Sequence, residues 1–147
     1  MYLSITGAEL ILWLHVLAAC VWIGGQATLA LLTPTLRADR TLLRAAAHRF
    51  QLAAWIAFAV LVITGVANMH NAGITASSLG SSPTGRTLGI KLLFVLLSGA
   101  AAAIHALVVA PSASGSRRAR ALSGLLGTAS LLTAALAALF GVVIAQQ

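Results

Sequence analysis

The sequence predicts an all-α integral-membrane protein: a four-helix up-down bundle with both termini outside. Three observations predict it. First, 60% of the 147 residues are hydrophobic and 7% are charged, against about 25% charged in a soluble domain. Second, four apolar runs, 10–32, 52–69, 92–110 and 122–145, each reach the roughly 17–25 residues that cross a bilayer as a helix. Third, seven of the nine basic residues gather at alternate connections, and only Arg86 and Lys91 follow the other one. Arg37, Arg40, Arg44 and Arg49 surround the first, Arg117, Arg118 and Arg120 fill the third, and the second, 71–85, has neither Lys nor Arg. Positive connections stay inside, so both termini and the second connection are expected outside. Backbone groups in lipid must be satisfied within each segment, which favours helices. The alternating segments of about 10 residues that mark a membrane β-barrel are missing. The net charge of +7 is thus a topology signal, and nucleic acid is excluded as a partner.

A single domain, 1–147, is expected, with helices at about 8–33, 45–70, 87–110 and 120–145. The first apolar run is too long for a signal-peptide core and has no basic residue before it, so it reads as a retained helix. His15 lies about 8 Å into that run at 1.5 Å per residue. With Ala19, Trp22 and Gln26 it forms one face at three-to-four-residue spacing. Such a face is a poor lipid contact and is expected to point inward. Gly24 and Gly25 thin the helix beside it, and Pro34 is expected to end it. Cys20, the only cysteine, lies about 140° around the helix from His15 and reads as a small packing residue.

The second helix carries His48 at its inner end, then Gln51, Trp55 and Phe58 along a face, with Met69 and His70 at its outer end. The connection that follows is rich in Gly, Ser and Thr, which favour turns. The third helix has a matching stripe in which Lys91 and His105 share a face about 21 Å apart, with Phe94 and Ser98 between them. Its run of small residues from Ser98 to Ala103 leaves room for a close neighbour, and Pro111 is expected to close it. The fourth helix has no ionisable residue beyond Leu122. Ser123 with Gly127, and Gly124 with Thr128, stand in the small-xxx-small spacing of close helix contacts.

Depth sorts the polar groups into an outer set of Glu9, His15, Met69, His70 and Lys91, and an inner set of His48, His105 and Gln26. Ionisable groups at membrane depth are costly and usually serve a purpose. Imidazole suits Cu, Zn and Fe, and thioether sulfur favours Cu(I). His15, Met69 and His70 therefore read as an outer copper entry, with His105 as an inner ligand. The alternative cofactor is haem b, held by depth-matched histidine pairs on facing helices, His15 with His70 or His48 with His105. In that arrangement Trp22 would lie near the ring and Lys91 would neutralise a propionate. Structural alternatives remain open for each: interfacial histidines at positions 48 and 70, and a lysine that snorkels to the headgroups. No nucleotide loop, CxxC or HExxH is present, and Glu9 and Asp39 fall on opposite sides of the membrane. Binding or transport is favoured over catalysis, and an enzymatic role would be haem-dependent oxidoreduction.

The segment Trp13-Leu14-His15-Val16-Leu17-Ala18-Ala19-Cys20-Val21-Trp22-Ile23-Gly24-Gly25 resembles the opening of the CopD copper-resistance domain. Arg49-Phe50, Thr64-Gly65, Gly85-Arg86, Lys91-Leu92 and Pro111 are similar to its later signatures, so the resemblance spans His15 to Pro111. A more distant likeness, in the first-helix His and Trp-x-Gly and the third-helix Lys, links the chain to the HemJ family, associated with haem b and protoporphyrinogen oxidation. Position 105 is histidine where the copper family's pattern leads one to expect asparagine. The resemblance implies a multi-pass protein of the bacterial inner membrane acting in copper uptake or homeostasis. The partners expected are a periplasmic copper-binding protein, a larger membrane complex or a second copy of the chain. A separate reading, from a different class, is a structural accessory subunit whose bundle packs against a larger membrane complex.

Overall fold

The structure, a computed structural model, describes residues 4–109 and 116–146. Four long helices account for most of them: α1 (Gly7–Leu36), α2 (Arg40–Asn71), α3 (Pro83–Ile104) and α4 (Arg117–Ala145). A 3-10 helix, Ala76–Leu79, lies in the second connection, and α3 continues into a π-helical turn, His105–Val109. All four helices are long and apolar enough to cross a membrane, and there is no strand among the described residues. This is an all-α, multi-pass membrane protein in contact with the lipid bilayer.

Each helix starts on a side-chain cap that serves the unpaired N–H groups of its first turn. Thr6 and Glu9 form a capping box: Thr6 Oγ1 accepts from the Glu9 N–H, and Glu9 Oε2 accepts from the Thr6 N–H at 2.8 Å. Asp39 Oδ1 accepts from the N–H groups of Thr41 and Leu42. Ser82 accepts from Gly85 N–H, with Pro83 as the first helical residue, and Ser116 accepts from Ala119 N–H. These caps move the starts of α2 and α3 four or five residues upstream of where apolar periodicity alone places them. Proline suits the first helical position because its missing N–H would be unpaired there anyway. At the far end of α2, Gly73 takes a left-handed φ of 68°, and its N–H bonds the His70 carbonyl.

Pro34 does not end the first helix, as the sequence reading expects. The helix runs through it to Leu36. In the last turn a proline removes only one intrahelical bond, and the neighbouring bonds hold. Thr33 Oγ1 donates to the Leu29 carbonyl at 2.6 Å, and the Arg37 N–H to the Thr33 carbonyl at 3.0 Å. The expected stop at Pro111 lies outside the described residues.

The helices pack as two compact units, one through Ser78 and the other from Leu79. Each is an antiparallel helical hairpin: α1 against α2, and α3 against α4. In the first hairpin Ala18, Trp22, Ala54, Ala57 and Thr64 are buried. Gly25 lies so close to the Phe50 ring that a Cβ there would collide with it. In the second hairpin Leu88, Ser98, Ser130, Ala134 and Ala137 are buried. Small seam residues let backbones approach, which is how membrane helices gain packing when lipid is as apolar as leucine. Leu96, Leu125 and Ile63 are largely exposed, as expected where the solvent is hydrocarbon.

Candidate functional site

In the first hairpin the α1 face predicted from His15, Trp22 and Gln26 turns toward α2. His15 Nδ1 lies 2.9 Å from Thr64 Oγ1. The Thr64 hydroxyl in turn donates to the Val60 carbonyl at 2.6 Å. A hydroxyl has one proton, so with that proton on Val60 the oxygen accepts from His15. The imidazole is thereby held against α2 through Nδ1. Gly65 makes the space: a Cβ there would stand 3.4 Å from His15 Cε1.

One helical turn from this pair toward the start of α1, Leu12 and Asn68 join Ala8, Glu9, Asn71 and Ala72 in lining a shallow groove at that end of the hairpin. On the other side of the pair, Trp22 is 3% exposed and packs on Phe58 and Trp55, with ring centroids 4.7 and 5.8 Å away. Trp55 and Phe58 meet edge-on at 5.8 Å. The aromatic face read on the second helix thus packs on Trp22, seven residues along α1 from His15. Gln26 Nε2 donates to the Trp22 carbonyl, so its amide stays on its own helix.

The second hairpin uses the stripe read on the third helix. Lys91, Ser98 and His105 recur every seven residues and all meet α4. Lys91 lies across Gly141, its Nζ 3.2 Å from where a Cβ would stand. Phe94 stacks on Phe140 at 5.7 Å beside it. Ser98 and Ser130, each 1% exposed, bond reciprocally: each hydroxyl donates to the other's carbonyl, at 2.9 and 3.0 Å. His105 Nδ1 lies 3.3 Å from Ser123 Oγ, on the π-helical turn. Such turns appear frequently at functional sites.

The remaining sequence candidates are more dispersed. His48 and His70 are exposed near the two ends of α2, and Met69 is half-buried. Glu9 is engaged by Thr6. His15, Met69 and His70 belong to the first hairpin, Lys91 and His105 to the second. Among the described residues no three His, Cys, Asp or Glu side chains converge as a metal site. A neutral imidazole can donate one nitrogen to a soft or borderline cation.

Two partners were missed from sequence, Thr64 and Ser130. Their signal was available: each is a hydroxyl in a strongly apolar helix, where side-chain hydroxyls bond across helix pairs.

A family model described as copper resistance protein D matches residues 44–145, more than half of the chain. The protein belongs to the CopD family. In this CopD-family chain the matched stretch takes in α2, α3 and α4, with Thr64, Met69, His70, Lys91 and His105. The likeness noted in α1 lies ahead of it. No curated protein and no solved structure matches the chain. Family membership makes this a copper-related membrane protein.

Proposed function

We propose that this protein handles copper in the bacterial inner membrane, in uptake or homeostasis, with His15 as the membrane-embedded ligand and copper as cargo. The observation that carries the reading is the His15–Thr64 pair. An imidazole inside an apolar span is held by a hydroxyl of the facing helix, and neutral imidazole is a good copper donor. Met69 and His70, at the end of α2 away from the arginines, supply thioether and imidazole donors where the ion arrives. His105, near the arginine-rich end of α4, receives it on the inner side. The basic connections support an orientation with both termini outside.

Copper titration of the purified protein in lipid nanodiscs tests this. His15→Ala is expected to weaken Cu(I) binding at least tenfold, with Met69→Leu and His70→Ala lowering cellular copper accumulation more than the affinity itself. Wild-type binding in His15→Ala sinks the reading. A Soret band in the wild-type protein that disappears in His15→Ala replaces it with a haem protein.

A further inference from the structure

We infer that an exposed row on α2, Arg40, Arg44 and His48 continued by Leu52 and Ile56, is a binding track for an anionic phospholipid. The basic residues take its phosphate, and an acyl chain lies along the apolar pair. These residues recur every four positions, the spacing of a ridge on a helix surface. All of them are exposed, Leu52 at 65% and Ile56 at 59%. The seam with α1 is made beside them, by the buried Ala54 and by Phe50 against Gly25. Helix length sets the depth of the row. With 32 residues, α2 is about 48 Å long, against a hydrocarbon core of about 30 Å. Its apolar run opens at Leu52, so His48 and Arg44 stand about 6 and 12 Å before it, at the headgroups and just beyond them. Charge sets the sign of the ligand. Arg37, Arg40, Arg44 and Arg49 surround the first connection with Asp39 as its only carboxylate, and Asp39 Oδ1 already accepts from the Thr41 and Leu42 N–H groups. Glu9, the other acid of the chain, stands at the opposite end of α1, engaged by Thr6. The balancing anion therefore comes from outside the chain. Guanidinium forks match phosphate oxygens in pairs, and the His48 ring offers an N–H beside them. A topology signal needs only charge near the connection. A register that runs from guanidinium to aliphatic side chain matches the shape of a lipid as well.

Native mass spectrometry of the full chain, titrated in detergent with phosphatidylglycerol or phosphatidylethanolamine, tests this. Both lipids carry a phosphate, but only phosphatidylglycerol is anionic overall, and it is expected to be retained about tenfold more tightly. Arg40→Gln combined with Arg44→Gln is expected to weaken phosphatidylglycerol binding about 10- to 30-fold and to leave phosphatidylethanolamine unchanged. Arg118→Gln combined with Arg120→Gln removes the same charge from two exposed α4 positions that do not face one another. That pair is expected to leave retention nearly unchanged. Glycerol phosphate, which has the anion but no acyl chain, is expected not to displace the lipid at equal concentration. Equal affinity for the two lipids overturns the inference, as does wild-type retention in the Arg40 and Arg44 variant. Equal losses in the two double variants would reduce the effect to net charge and overturn it too. Displacement by glycerol phosphate would replace the lipid track with a site for soluble phosphates. The substituted arginines are exposed, so unchanged helicity is expected in both variants. None of these outcomes depends on the copper reading.

Discussion

One missing methyl group at Gly25 decides how closely α1 and α2 approach. The Phe50 ring occupies the space a Cβ would need, so Gly25→Ala forces the ring or the helix to move. Overpacking of this kind costs about 1–3 kcal/mol. Thermal unfolding in detergent is expected to show that loss, and Phe50→Leu is expected to relieve most of it. If the two changes add without coupling, the contact does not set the spacing. Gly65 plays the same part for His15 with more room to spare. Of these residue-level facts, the sequence showed the glycines and the histidine but not their partners. A glycine announces that something comes close, and only the facing helix says what it is. His15 was legible because an ionisable group in an apolar run is rare. Thr64 was not singled out as its partner, because a membrane threonine equally often bonds only its own backbone.

At the scale of the element, the α3–α4 seam is closed by polar and small side chains at seven-residue spacing, the interval at which two packed helices keep one face together. Its centre is the reciprocal Ser98–Ser130 pair. Interhelical hydrogen bonds in membrane proteins are worth on average about 0.6 kcal/mol, at most about 1.7. Ser98→Ala and Ser130→Ala are each expected to cost that much in a reversible unfolding assay. The double variant should cost less than the sum, since each loss disturbs the geometry of the other bond. Strict additivity would mean that the two bonds act independently. Apolar periodicity located all four helices because their runs exceed the span length. It placed two of the starts late because polar first turns carry no apolar signal. The capping residues Asp39 and Ser82 were the better guide there, and Pro34 was a poor guide to a helix end. The π-helical turn at His105 left no trace in the sequence, since it depends on how α3 ends against α4.

For the whole molecule, the charge pattern predicts orientation. Lys and Arg near short connections hold them on the cytoplasmic side, and Arg37, Arg40 and Arg44 flank the α1–α2 connection. In a Cys20→Ala background, Ala38→Cys is expected to react with a membrane-impermeant maleimide only after the cells are opened. Ser77→Cys, exposed on the 3-10 helix, is expected to react in intact cells. The reverse pattern would invert the topology and exchange the entry and exit roles assigned to His70 and His105.

Fold class, the four spans and the rare polar residues within them were determined by the sequence alone, because lipid imposes one rule on every segment: backbone groups must be paired locally and charges are costly. Which side chains meet was decided only by tertiary structure. Facing a helix, Thr64 and Leu61 differ by less than one turn, and the choice between them depends on how two helices approach at their glycines. That approach turned His15 from an anomaly in an apolar run into an imidazole with a defined partner on the facing helix.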